Sequence, residues 1–510
     1  MDGDSFKREI KNCDWLFDLF AIGYDFIATR VTPTDLDTKY PDLGRVIGEL
    51  AGTGLRNQLV AADGELPPGV FQFLAGTADW EHVSLPEIES GLFLTRLLAV
   101  LRLIDEVSAG VSYFSFGLSG REWPKARSFV RAHHNLLSKN TARKVILKPP
   151  PLDGAAWWQV AAAAGWMEPV ERGQFHHRLF QNLVRLPEFT DHDLKHIVLR
   201  SADDAERNIS APLKVGIIPL IRNMEIRSSV AKLIPGPLRI VAYPPAGFGV
   251  ETESSGDPSA DFAPLFAVVE NALPALCRIG AHIVVLPELV VPDPVLERVK
   301  SVLLSISTHG DPTPFLVVSG TFGRRDADSG RVYNEAVILN GRGNELFRQR
   351  KMHAYTMHGN EQPKYGLNVL FEDKPRTERM ELMPRVLTVC DSPRLGLRIS
   401  VLICEDFCQP TPGIEAVRKL RSNLLLSPVM AGDLDKDSGF FQTSSQLVLD
   451  PECLVVVANS RALPSQQDCA KTDSCSLGIF GSPLYKPNAG KIHMLTAADP
   501  KGFLTLELPY

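Results

Sequence analysis

Three side chains of unlike chemistry follow apolar runs in the second half of the sequence. In Ile283-Val-Val-Leu-Pro-Glu288 a carboxylate closes a buried-type strand. In Phe347-Arg-Gln-Arg-Lys351 an ammonium follows a strand that has just left a Gly-Asn turn. In Ile399-Ser-Val-Leu-Ile-Cys-Glu-Asp406 a thiol closes another apolar run. A free thiol, with a pKa of about 8.5, is mostly protonated near neutrality. As a nucleophile it needs a base to take its proton or a cation to hold its thiolate. Glu288 is of the type that does the first, Lys351 the second. The same lysine, with the backbone N–H of Glu405, can bind the oxyanion of a tetrahedral intermediate, where one donor is worth about 3 kcal/mol. The chemistry such a set suits is acyl transfer through a covalent thioester.

Each residue alone has a plainer explanation. Cys404 by itself reads as a small core residue, Lys351 as a solvated charge and Glu288 as the start of a helix. What separates them from those roles is the shared context. Ligands of α/β folds collect at the carboxyl ends of strands, and all three residues are expected there. Glu405 and Asp406 are then pocket groups or carboxylates that hold the lysine. Ser427, ending the next strand, is a candidate wall of an acyl pocket.

The elements that must position these groups are legible as a change of texture. Up to Leu233-Ile-Pro-Gly-Pro-Leu238 the chain reads as mainly helical. Leu16, Leu19, Phe20, Tyr24 and Ile27 share one helical face, and Leu92 to Val107 is a strong helical run. Lys148-Pro-Pro-Pro-Leu152 marks a break, and a second helical group is expected from Ala155 to Leu199. Beyond the boundary, strands and helices alternate. Strands are expected at 238–243, 281–286, 315–319, 335–340, 344–350, 395–403, 423–427 and 454–458, with helices at 262–279, 413–420 and 440–449. The expectation is a mainly α-helical domain over 1–232, possessing two parts, followed by an α/β layered domain over 233–510.

The ordered set of segments resembles the nitrilase, or carbon–nitrogen hydrolase, superfamily with its Glu-Lys-Cys triad. The resemblance runs from about residue 235 to 510. It includes Tyr333-Asn-Glu-Ala-Val-Ile338 before the lysine, Phe440 to Leu449 followed by Leu454-Val-Val-Val-Ala-Asn459, and Gly478-Ile-Phe-Gly-Ser482. It implies a four-layer αββα sandwich, often paired into a homo-oligomer, and a reaction at a small-molecule amide without metal or organic cofactor. It implies Glu288 as general base, Lys351 as oxyanion stabiliser and Cys404 as nucleophile. Many members carry a second glutamate after the lysine, and Glu361 is the best match, although the intervening Met352 to Asn360 departs from the family pattern. Cys404-Glu-Asp406 resembles glutaminase-type members and favours an amide over a nitrile. Nitrile hydrolysis and acyl transfer stay as alternatives, as does a regulatory protein whose N-terminal half senses or recruits a partner.

Composition fits that reading. A chain of 510 residues with 44% hydrophobic and 22% charged residues is that of an ordinary soluble globular protein with more than one domain. A net charge of −6 supplies no electrostatic reason for nucleic acid or an anionic membrane as partner. The N-terminus has no signal-peptide pattern and no apolar run is long enough to span a bilayer. The expected location is therefore the cytoplasm. Eight sparse cysteines argue against a disulfide framework. Cys404-x3-Cys408 and Cys469-x5-Cys475 lack zinc-site spacing. His133, His134, His176, His177, His192 and His196 tempt a metal reading without the remaining ligands, and Glu253-Ser-Ser-Gly-Asp257 is a plain loop rather than a phosphate cradle.

Overall fold

The structure is a computed structural model of the chain. It describes residues 1–31, 43–76, 80–108, 137–139, 144–147, 183–185, 193–199, 213–220, 223–227, 230–234, 238–243, 247–252, 262–361, 375–392, 395, 397–449, 453–464, 475–482, 492–496 and 503–508. Two compact units divide it: Met1–Phe189 with Lys419–Arg421, and Thr190–Arg418 with Ser422–Tyr510. The change of texture expected at 232–233 thus lies inside the second unit. The expected break at 148–152 lies outside the described residues.

In the first unit the described helices are α1 (Gly3–Lys11), α2 (Leu16–Ala28), α3 (Leu43–Gly52), α4 (Leu55–Ala61), α5 (Gly69–Ala75), α6 (Leu85–Ile88) and α7 (Gly91–Ser108). Leucine, alanine and arginine give α7 high intrinsic helix propensity. It is apolar nearly all round and buries Phe93, Leu97, Val100, Leu101 and Ile104. Gly23 on α2 lets the two helices approach, since a Cβ there would lie 2.9 Å from Leu101 Cδ2. Phe6 stacks on Phe26 at 4.1 Å between ring centroids. The second helical group expected at 155–199 is corrected where residues are described. Leu183–Arg185 is a strand (β2) paired antiparallel with Val145–Leu147 (β1), and Asp193–Val198 is a strand (β3). Pairing with distant strands overrides local propensity there.

The second unit holds three sheets. One runs in the order Glu345–Arg350 (β12), Val332–Leu339 (β11), Leu316–Arg325 (β10), Ile283–Val285 (β9), Leu213–Ile217 (β4) and Leu504–Leu508 (β21). Another runs Ile492–Thr496 (β20), Ser476–Gly481 (β19), Leu454–Asn459 (β18), Leu424–Val429 (β17), Leu397–Val401 (β16), Val386–Ser392 (β15) and β3. The third runs Thr356–Met357 (β13), Arg376–Glu378 (β14), Gly247–Thr252 (β8), Leu238–Tyr243 (β7), Val230–Ile234 (β6) and Asn223–Arg227 (β5). Its helices are α8 (Ala263–Arg278), α9 (Asp293–Thr308), α10 (Glu405–Cys408), α11 (Glu415–Leu420) and α12 (Gly439–Leu449). β9, β16, β17 and β18 are buried along their whole length, as strands covered on both faces are.

Glycines mark where these elements meet. A Cβ on Gly216 of β4 would lie 2.5 Å from Leu276 of α8. One on Gly478 of β19 would lie 2.9 Å from Ile217 of β4, and one on Gly481 of β19 would lie 2.3 Å from Val448 of α12. Among the described cysteines, Cys13, Cys277, Cys390, Cys404, Cys408 and Cys453 lie outside any disulfide, whereas Cys475 is disulfide-bonded. No helix among the described residues is long and apolar enough to cross a membrane.

The edge strand β3 is fastened by a buried charge cluster. Arg398 on β16 donates through Nε and Nη2 to the two oxygens of Asp391 on β15 at 2.8 and 2.9 Å, and His196 on β3 lies 2.7 Å from Asp391 Oδ2. Burial alone would raise the Asp391 carboxyl, but Arg398 and then His196 outweigh it and hold the group far below the ordinary carboxylate range. A depressed folded-state pKa contributes stability above the unfolded value, lost as pH falls through the folded one. Replacing Arg398 by Leu strands the Asp391 charge and should cost about 3–5 kcal/mol in urea unfolding. Asp391→Asn with Arg398→Met should cost clearly less, and an equal or larger loss in the double variant would contradict this account.

Candidate active site

Glu288 lies three residues past the end of β9, after Pro287, which cannot supply a ladder donor and so stops the strand from continuing. The neighbouring strand must bulge to admit this turn. Gly320 on β10 has φ +77°, and a Cβ there would sit 2.3 Å from the Pro287 carbonyl oxygen. Thr321 donates its N–H to that same oxygen at 3.2 Å, and its Oγ1 accepts from Leu289 N at 3.0 Å. Leu289 itself has φ +58°, so the peptide after Glu288 is fixed by bonds rather than by local preference.

Lys351 follows β12, and its N–H donates to the Asn334 carbonyl of β11 at 2.8 Å. Cys404 follows β16 at the entry to α10 with φ +47° and ψ −105°. That conformation costs a non-glycine residue about 1–3 kcal/mol and persists only where its surroundings over-determine it. Here the Cys404 N–H donates to Pro428 O of β17 at 3.1 Å, and Phe407 N returns to Cys404 O at 2.9 Å.

The three side chains meet. Lys351 Nζ donates to Glu288 Oε1 at 2.8 Å, and the Cys404 thiol hydrogen-bonds the same carboxylate. Glu288 Oε2 accepts the Met430 N–H at 3.0 Å. A residue that sequence reasoning did not single out completes the group. Glu378 of β14 accepts from Lys351 Nζ at 2.6 Å. Asn334 Nδ2 donates to Glu288 Oε1 at 2.9 Å and to Glu378 Oε1 at 2.7 Å. Glu288, Asn334, Lys351, Glu378 and Cys404 are 1, 2, 2, 6 and 6% exposed, so these ions and dipoles answer to one another rather than to water.

That isolation sets the protonation states. Burial raises the Glu288 carboxyl, Lys351 opposes it, and the Glu378 charge pushes it up further. Burial would lower the Lys351 ammonium, but Glu288 and Glu378 override that and hold it well above the ordinary lysine range. Burial, followed by the Glu288 charge, raises the Cys404 thiol well above its ordinary value despite Lys351. The resting site therefore pairs a neutral thiol with a fixed ammonium.

The other predicted residues fall as follows. Glu361 is not the second carboxylate at the lysine: its Oε2 accepts from Tyr355 Oη at 3.0 Å and from His358 N at 2.8 Å. Sequence proximity to Lys351 pointed to Glu361, whereas pairing of β14 with β13 and β8 delivers Glu378. The signal for Glu378 was weak, because no apolar run precedes it. Asn334 offered a better one, as an amide beside Glu335 just before the apolar run Ala336–Leu339 of its strand. Asp406 is buried and accepts Met352 N at 3.0 Å, His353 N at 2.8 Å and His353 Nδ1 at 3.0 Å. It holds the backbone that follows the lysine, not the ammonium. The Glu405 carboxylate takes a hydrogen bond from Gln409 Nε2. Ser427 is buried next to Pro428, and its Oγ has no hydrogen-bond partner. Asn459, ending β18, clamps the loop that presents Met430, donating to Ala431 O and Gly432 O at 3.1 and 2.8 Å and accepting Ala431 N at 3.0 Å. Among the described residues no group of three or more histidines, cysteines and acidic residues is arranged to hold a metal. His196, among the histidines that suggested one, is bound to Asp391 on a strand; the other five lie outside the described residues, as does the loop at 253–257.

Residues 241–412, which carry Glu288, Asn334, Lys351, Glu378 and Cys404, match the family model of the carbon–nitrogen hydrolases. By that match this region is similar to the carbon–nitrogen hydrolases, which supports a nitrilase-like α/β fold and, at the coarse level, a hydrolase. Among solved structures, the chain is similar to an amidase from Nesterenkonia sp., at 16% identity and a TM-score of 0.36 over 59% of this chain and 91% of that one. It is also similar to Nit3 of Saccharomyces cerevisiae, a member of branch 10 of the nitrilase superfamily, at 15% identity and a TM-score of 0.34 over 60% and 93%. None of the curated proteins matches the chain.

The two glutamates separate experimentally. Glu378→Gln removes a charge that holds Lys351 and should lower turnover about 10²-fold or more, on the scale of losing one electrostatic contributor. Glu361→Gln should stay within a few-fold of the parent. The reverse ranking in steady-state rates would show that Glu361 is the working carboxylate.

Proposed function

We propose that the second unit hydrolyses a non-peptide amide through a cysteine thioester. The observation that carries the reading is the buried Glu288 carboxylate, which touches both the Cys404 thiol and the Lys351 ammonium. Glu288 takes the thiol proton as Sγ attacks the carbonyl carbon. Because Lys351 is already engaged by two carboxylates and the thiol is neutral at rest, attack is coupled to proton transfer and does not wait for a standing thiolate. Lys351 and the Glu405 N–H receive the oxyanion. Glu288 returns the proton to the departing amine as the C–N bond breaks. Water then gives a proton to Glu288, its oxygen attacks the thioester, and the carboxylic acid leaves as the Cys404 thiol is restored. Glu378 keeps Lys351 charged and aimed. Ser427, with its unengaged buried hydroxyl, is assigned to the acyl side of the site.

The layering follows the same reading. Leu276 of α8 against Gly216, Ile217 against Gly478, and Gly481 against Val448 of α12 support a helix–sheet–sheet–helix order for the fold. A second reading concerns the first unit. Its apolar core is made of its own residues, from Phe6 to Leu183, which suits a separate partner-binding or sensing module.

Cys404→Ala should abolish ammonia release from every member of an amide panel while leaving the circular dichroism spectrum unchanged. The parent should show an acyl adduct on Cys404 by intact mass, and turnover by the alanine variant would refute the assignment. The pH profile tests the base. Glu288 must be ionised to accept a proton and its carboxyl is raised, so kcat/KM should fall as pH drops through a value above 4.5, the ordinary glutamate figure. An acid limb at or below that figure would exclude Glu288 as the base. Lys351, held up by both glutamates, should contribute no limb on the alkaline side of the working range.

A further inference from the structure

We propose that Asn334 is a positioning residue that keeps Glu288 ionised, by bridging it to Glu378 through the two hydrogens of one amide nitrogen. The proposal rests on the reading of Glu288 as the base. Two buried carboxylates on one ammonium repel each other, and each unmet lone pair favours protonation of one of them. Besides the Cys404 thiol, Glu288 has three donors: Lys351 Nζ and Asn334 Nδ2 on Oε1, and Met430 N on Oε2. Glu378 receives Lys351 Nζ and, at 3.4 Å, Tyr355 N on Oε2, with Asn334 Nδ2 on Oε1. Asn334 is thus the donor that the two carboxylates share besides the lysine.

The amide is oriented by this task. Its Oδ1 is buried without a hydrogen-bond partner, while both hydrogens of Nδ2 are used. A flipped amide would set its oxygen against two carboxylates, so the unsatisfied acceptor is the lesser cost. The main chain works in the same direction, since the Asn334 carbonyl receives the Lys351 N–H and fixes where the lysine leaves β12. The titratable groups facing Glu288 are Lys351, Glu378 and Cys404, with Asp406 and His353 beyond Lys351. None of them replaces the lost donor.

The test uses the full chain and iodoacetamide, because alkylation of Cys404 needs the proton acceptor but no knowledge of the substrate. In that reaction sulfur displaces iodide and the thiol proton passes to Glu288. The rate of adduct formation on Cys404, followed by intact mass, is measured over about four pH units from the acid side upwards. In the parent, Glu288→Gln should slow alkylation about tenfold or more at neutral pH. A Glu288→Gln protein alkylated like the parent would overturn the base reading and the proposal with it. Asn334→Leu, of similar size and without a donor, should move the acid limb upward by about one unit, a tenfold loss on the limb that higher pH restores. Asn334→Ser, which retains one donor, should fall between the two and serves if the leucine variant does not fold. A folded Asn334 variant with its limb unmoved, whatever its overall rate, would overturn the proposal while leaving Glu288 as base.

Discussion

An ammonium held between two carboxylates out of reach of water is the constraint on which the site depends. Lys351 Nζ lies 2.8 Å from Glu288 and 2.6 Å from Glu378, and all three side chains are buried. Removing ions from water is costly unless geometry and extra hydrogen bonds compensate. The surrounding structure is organised to supply them. β11 contributes Asn334, the loop after β17 contributes Met430 N, and Asn459 at the end of β18 clamps that loop. The backbone beyond Lys351 is tied to Asp406, two residues after Cys404. A shift in any one of these elements changes the solvation of a charge. This is why so many strands from separate parts of the chain end in the same few ångströms.

The same arrangement limits what the thiol can be. A cysteine beside one free cation would rest as thiolate, but here the cation is committed to two carboxylates and one of them faces the sulfur. A neutral thiol already hydrogen-bonded to a carboxylate is the arrangement on which the proposed coupling of attack to proton transfer rests. The positive φ of Cys404 belongs to the same design. A sharp strand-to-helix turn carries the sulfur out of the β16 ladder, at a backbone cost that the bonds to Pro428 and Phe407 offset.

Further from the chemistry, the second unit depends on strands that precede its family-like segments. β4 pairs with β9, the strand that leads to Glu288, and with β21 near the C-terminal end. β3 pairs with β15 and is fastened through His196 to the Asp391–Arg398 pair. These strands carry lysines, a glycine and a histidine in place of unbroken apolar runs, so their strand character comes from partners far along the chain.

What the sequence by itself determined was the set of groups that end apolar runs: Glu288, Lys351 and Cys404, together with the strands β7, β9, β10, β11, β12, β16, β17 and β18 and the helices α2, α7, α8 and α12 near them. Those are legible because burial on both faces writes continuous Val, Ile and Leu into the strand, and a charge or thiol just past it stands out. Tertiary structure alone decided which second glutamate reaches the lysine, since Glu361 is nearer in sequence while Glu378 is delivered by strand pairing. It also decided that Asn334 serves both carboxylates, that Asp406 holds backbone and not the ammonium, and that the second unit begins near residue 190. The physical reason is common to all of these. Hydrogen bonds and ladder pairs join residues by distance in space, and a local pattern of apolar and polar residues carries no record of which distant partner will satisfy them.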